Sequence, residues 1–187
     1  MTSEPEWPCV PLLWITGLSG VGKSSLAQAL AEKLRAQGQR PLLLDGDALR
    51  DALEAPDGAI SHDLASRERR AWRIARLAQL ATQQGVPVIV ATISLFHAVQ
   101  RFNRVTHARY GEVWLQASLA ELRARNPTLY GEADDATTAR QVVGLDQPAQ
   151  FPDQAELVIA QRFGSQALAD QLDQALALWQ KLREARP

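Results

Sequence analysis

The chain has 187 residues, 46% of them hydrophobic and 22% charged, enough for one enzyme-sized core. Its 20 basic and 21 acidic side chains leave a formal charge of -1, so no global field draws it to nucleic acid or to an anionic membrane. The start MTSEPEWPCV has no basic n-region, no apolar run reaches membrane-spanning length, and the single Cys9 has no disulfide partner, which together predict a cytoplasmic protein.

In chain order, Pro11 to Thr16 (PLLWIT) reads as a short buried strand. Directly behind it, Gly17-Leu18-Ser19-Gly20-Val21-Gly22-Lys23-Ser24 fits G-x-x-x-x-G-K-[ST] at every fixed position, and a helix from about Lys23 to Gln37 follows. Strand, glycine loop and helix form a phosphate cradle. The loop amides and the positive helix end face phosphate oxygens, Lys23 reaches the outer phosphates, and the Ser24 hydroxyl can ligate Mg²⁺. A nucleoside triphosphate is the ligand this context predicts.

Four further apolar runs, Pro41 to Leu44, Val86 to Ile93, Glu112 to Gln116 and Glu156 to Ala160, complete five predicted strands. The helices between and after them are Asp47 to Glu54, His62 to Gln84, Ala98 to His107, Leu119 to Arg125 and Ser165 to Arg183. Alternation of this kind predicts an α/β fold of the P-loop NTPase type. Its mostly parallel five-stranded sheet would carry helices on both faces, within a single domain over 1–187. Gly38 and Gly85 sit where helices should stop. The long aperiodic stretch from Asn126 to Asp153 is expected to be a mobile lid. Leu172, Ala175, Leu176, Trp179 and Leu182 read as the core stripe of the last helix, and His62, His97 and His107 lack metal-ligand spacing.

At the end of the second strand, Leu44-Asp45-Gly46-Asp47-Ala48-Leu49-Arg50 brings two carboxylates and an arginine toward the phosphates, because ligands bind at the carboxyl ends of strands in such sheets. Asp47 can accept a proton from an attacking hydroxyl, Asp45 can hold a metal-bound water, and Arg50 can grip an anionic acceptor. The alternative is structural: Asp45 ends the strand and Asp47 caps the helix. On the next helix Arg67 and Arg70 continue the stripe of Ile74, Leu77 or Ala78, and Ala81, so they extend the buried face and call for an anionic partner. Arg69, Arg73 and Arg76 are weighed evenly as a solvated face.

GLSGVGKS, LLLDGDALR, the helix opening Arg67-Glu68-Arg69, the strand end Thr92-Ile93-Ser94 and the late Val143-Gly144-Leu145-Asp146 together resemble the adenylylsulfate (APS) kinases, from about Leu12 to Ile159. The resemblance implies an ATP- and Mg²⁺-dependent kinase that moves the γ-phosphoryl to the 3'-hydroxyl of a small nucleotide. By it, Gly17, Leu18, Ser19, Gly20, Val21, Gly22, Lys23, Ser24, Ser25 and Arg125 would bind ATP, with Ser24 and Asp45 on the metal. Asp47 and Lys23 would be catalytic. Asp45, Asp47, Arg50, Ile60, Arg67, Arg70, Ile93, Ser94, Val142 and Gly144 would hold the acceptor. A homodimer is left open by the resemblance.

The departures concern the acceptor. APS kinases hold its adenine between two aromatic rings and read it with an Asn, where this chain has Ile60, Val142 and Arg70. Losing the rings removes stacking worth about 1–3 kcal/mol per base, and an Arg cannot accept the adenine amino proton. Thr92-Ile93-Ser94-Leu95-Phe96, Phe102-Asn103-Arg104 and Val142-Val143-Gly144-Leu145-Asp146 are more similar to the cytidine diphosphoramidate kinases, an offshoot that phosphorylates a cytidine 3'-hydroxyl. The alternatives are therefore a pyrimidine-nucleotide 3'-kinase and, from another class, a nucleotide-binding regulatory module.

Overall fold

The computed structural model describes residues 9–53, 63–130, 142–145 and 147–185. Strands β1 (Leu12–Thr16), β2 (Leu42–Asp45), β3 (Val88–Ala91), β4 (Tyr110–Gln116) and β5 (Leu157–Ala160) alternate with helices α1 (Lys23–Ala36), α2 (Gly46–Leu53), α3 (Leu64–Gln83), α4 (His97–Thr106), α5 (Leu119–Arg125), α6 (Pro127–Tyr130) and α7 (Ser165–Glu184). All strand pairs are parallel, in the order β2-β3-β1-β4-β5. The parallel α/β architecture expected from the alternating pattern is borne out.

The central strand explains the two-sided core. Leu12, Leu13, Trp14 and Ile15 are all fully buried, because β1 is flanked on both edges and covered on both faces. Leu13 and Ile15 point to one side, packing with Leu26, Leu30 and Leu34 of α1 and Ala175, Trp179 and Leu182 of α7. Leu12 and Trp14 point to the other, against Ala71, Ile74, Ala75 and Ala78 of α3 and Val99 of α4. Burying one such Leu, Ile or Val stabilises the fold by about 1.5–3 kcal/mol. The last helix packs closely over Gly111, where a Cβ would lie 2.7 Å from Leu182 Cδ1.

Boundaries differ from expectation where backbone groups have other partners. The third strand begins at Val88 rather than Val86, because the Val86 and Gly85 amides close the C-terminus of α3 on the Ala81 and Thr82 carbonyls. The fourth begins at Tyr110, paired with Leu12, two residues before the apolar run suggests. The expected irregular stretch from Asn126 contains α6, whose first turn is closed by Asn126 Oδ1 accepting from the Leu129 amide at 3.0 Å. Ile60, His62, Asp146 and the middle of the expected lid, 131–141, lie outside the described residues. No helix among the described residues is long and apolar enough to cross a membrane.

Candidate active site

The carboxyl ends of β1, β2 and β3 open into a cleft of about 1010 Å³. Ser19, Gly20, Gly22, Lys23, Ser24 and Ser25 line its floor, Asp45, Asp47 and Arg50 one side, and Arg67, Arg70, Ile93, Ser94 and Val142 the far end. These sequence-predicted residues, spread over 124 positions from the first of them to the last (142 − 19 + 1), share one cavity.

The glycine loop needs its glycines. Gly17, Gly20 and Gly22 have φ of 145°, 73° and 99°, and a Cβ on Gly17 would stand 2.5 Å from the Leu115 carbonyl oxygen. Three side chains hold loop carbonyls: Lys23 Nζ donates to Leu18 O at 2.8 Å, Tyr130 OH to Ser19 O at 2.7 Å, and Gln161 Nε2 to Val21 O at 2.5 Å. Leu18 and Val21 are buried in the core, so they hold the loop down and offer only backbone to a ligand. Burial lowers the Lys23 ammonium to about 8, against the opposing pull of the Asp47 and Asp45 carboxylates. A polyanion placed beside it would replace the lost hydration.

On the β2 side Asp45 ends the strand, as the structural alternative has it, but the helix cap is Asp45 and not Asp47. Asp45 caps α2, its Oδ1 accepting from the Asp47 amide at 3.0 Å, whereas Asp47 lies in the first turn with its side chain 80% exposed. Asp47 Oδ1 instead pairs with Arg50 at 2.5 Å. The Arg67 guanidinium is pushed below its ordinary range by burial and by the neighbouring Arg70 and Arg50 charges, so three cations converge in the cleft. Bidentate guanidinium chemistry of this kind suits phosphate or sulfate.

The far wall is built from β3's exit. Thr16 Oγ1 donates to Ile93 O at 2.7 Å, and the Thr92 and Ser94 hydroxyls lie 2.9 Å apart. Val142 is buried and lines this end. Gly144, expected at the acceptor, is not among the residues lining the cleft. Its backbone sits at φ 86°, where a Cβ would be 2.9 Å from Leu18 Cδ2, so it packs behind the glycine loop. Arg125 lines the cleft and stacks over Phe163, 4.0 Å from the ring centre. Of the arginines weighed as a solvated face, Arg69 donates to Ser66 Oγ and Arg76 covers Phe102.

Sequence reasoning missed Gln161 and Gln171, and took Thr92 only as part of a motif at the end of the third strand. Tyr130 was missed as well, since nothing local signals that its hydroxyl reaches the glycine loop 111 positions away. Of the histidines, His97 and His107 are described. His107 is buried and bonded to Asn103 O, and His97 meets Phe151 O.

A family model for adenylylsulphate kinase matches residues 9–160. The cytidine diphosphoramidate kinase of Campylobacter jejuni is 36% identical over 149 residues, covering 79% of this chain and 84% of that one. The adenylyl-sulfate kinase of Paraburkholderia xenovorans is 39% identical over 150 residues, covering 79% and 82%. Among solved structures, the APS kinase of Mycobacterium tuberculosis in complex with AMPPNP and APS superposes with a TM-score of 0.78 at 29% identity, covering 92% of this chain and 99% of that chain.

Proposed function

The chain belongs to the adenylylsulphate kinase family, and from that premise we propose that it transfers the γ-phosphoryl of ATP to the 3'-hydroxyl of a small anionic nucleotide. The observation that carries the reading is the convergence in one cleft of Lys23, Ser24, Asp45 and Asp47 with three arginines. Asp47, exposed to the cleft, takes the proton of the attacking hydroxyl. Lys23 neutralises the charge that develops on the transferring group. Arg50, Arg67 and Arg70 hold the acceptor anion, and Arg125 on Phe163 offers a flat face to the ATP base.

Mg²⁺ fits the donors present. The Ser24 hydroxyl and the Asp45 carboxylate are hard oxygen ligands lining the same cleft as the loop, and they would hold the ion directly or through water. Held there, it would supply positive charge against the triphosphate.

APS is the acceptor that family membership favours. A cytidine diphosphate derivative is the second reading, and Val142 and Arg70 at the acceptor end favour it: an aliphatic wall and a donor-only side chain suit the O2 and N3 acceptors of cytosine. A coupled assay of ADP release with APS and cytidine diphosphate acceptors separates them, with the product's phosphate located by NMR. ADP release that no nucleotide acceptor stimulates would overturn both and leave the regulatory module.

A further inference from the structure

The peptide joining Val21 to Gly22 is held from behind the glycine loop by a chain of amides. Gln161 follows β5 and is buried. Its backbone amide donates to Gln116 O at 2.7 Å, and its Nε2 donates to Val21 O at 2.5 Å. Gln171 of α7, also buried, donates through Nε2 to Gln161 Oε1. Both polar ends of the Gln161 side chain are therefore engaged, one on the loop and one on a helix of the core.

Peptide geometry turns that grip into aim. In a trans peptide the C=O and the following N–H point in opposite directions. A hydrogen bond that holds Val21 O toward the core consequently holds the Gly22 N–H toward the cleft, which Gly22 lines. At φ 99° Gly22 has no Cβ to restrict it, so the peptide is free to turn unless something outside the loop stops it. A Cβ there would stand 2.9 Å from Gln161 Nε2, which shows how closely the amide approaches. Two carboxamides are also a costly filling for a core that aliphatics would pack as well.

Of the other two loop carbonyls that side chains hold, Leu18 O takes Lys23 from the cleft floor and Ser19 O takes Tyr130, which is buried on α6. Gln161 alone of the three is itself seated by a second buried amide, that of Gln171. We propose that Gln161, seated by Gln171, is a positioning residue that presets the Gly22 amide as a donor to the triphosphate. This rests on the reading of the cleft as an ATP site.

The test is equilibrium binding of MgATP to the full chain by calorimetry, beside melting temperature and the ¹⁵N-labelled Gly22 amide resonance. Gln161→Met and Gln171→Met should each weaken MgATP about 3- to 10-fold, the range of one hydrogen bond. The double variant should lose no more than Gln161→Met alone, because the two act in series. In Gln171→Glu the carboxylate demands a donor, so the Gln161 amide turns and sets an oxygen against Val21 O; it should weaken binding as far as Gln161→Met. The Gly22 resonance should shift on MgATP in the parent and less in each variant. If Gln161→Met does not fold, the two Gln171 variants carry the test. A lowered melting temperature with MgATP affinity and the Gly22 shift unchanged overturns the proposal and leaves a structural role. A parent that binds no MgATP overturns the ATP reading itself, a separate outcome.

Discussion

The two halves of the cleft are built on opposite principles. At the ATP end the glycine loop is fastened from three directions, Lys23 is almost wholly buried, and the loop's hydrophobic residues belong to the core. At the acceptor end the charged groups are more open to solvent, Asp47 being 80% exposed and its partner Arg50 32%, beside a wall that includes the buried Ser94 and Val142. A rigid, desolvated half suits a ligand of fixed shape whose phosphates must be held in one geometry. An open half of long side chains suits a ligand whose identity varies between relatives. The packed half therefore holds the phosphate donor and the loose half the acceptor and its base, and substitutions in each should fail in different ways.

The largest effect is expected from Lys23→Ala. The loop keeps its glycines and its Tyr130 and Gln161 contacts, so the fold should survive, while the transferring group loses its charge partner. Phosphotransfer should fall by about 10³-fold or more, as for loss of a principal electrostatic group. Activity within tenfold of the parent would remove Lys23 from the ATP site. Asp47→Asn comes next, and the cap makes it a clean experiment. Since Asp45 caps α2, the exchange leaves the helix start intact and breaks only an exposed ion pair, worth about 0–1 kcal/mol. We expect kcat to drop about 10²-fold or more with MgATP affinity and melting temperature nearly unchanged, in line with general-base contributions. A variant that melts early and turns over normally would return Asp47 to a structural role.

At the loose end the expected changes are in selectivity. Arg70→Asn with Val142→Phe restores an amide and a ring where APS kinases carry them, and should shift kcat/KM toward APS relative to a cytidine acceptor by about tenfold or more. MgATP binding should not move, because neither residue belongs to the glycine loop. A parent that already uses APS efficiently and ignores cytidine acceptors would show that the missing rings do not set the choice.

The contrast between the halves also decides what could be read from sequence. The glycine loop is one contiguous run whose chemistry depends on backbone conformation, so eight residues suffice to state it. The strands were legible because buried parallel strands are plain apolar runs; only their ends were misjudged, where Val86 completes a helix terminus instead of a ladder. Asp45 and Asp47 could not be assigned from spacing, since either can accept from the first-turn amides and only the observed bond from the Asp47 amide to Asp45 chooses. Gln161 was invisible for a different reason. Its partner is 140 positions away, and a glutamine after an apolar strand has no local signature.

The smallest effect follows from burial itself. Desolvation lowers Lys23 to about 8, below its ordinary 10.5, so between those values the folded protein binds fewer protons than the unfolded chain. The sign is then set: this group's contribution to stability rises with pH across that window and is lost as pH falls through it. For ligand binding the sign reverses, because the triphosphate needs the ammonium and the unliganded protein gives up its proton above about 8. Raising the pH from 7.5 to 8.5 should weaken MgATP about threefold, the ratio of protonated Lys23 at those two values for a group near 8. Lys23→Arg, whose guanidinium stays charged, should flatten that slope even where it binds less tightly overall. Acceptor affinity should stay level over the same range, since Arg50, Arg67 and Arg70 hold it and Lys23 takes no part. A pH slope on the acceptor and none on MgATP would invert the assignment of the buried charge to the ATP half.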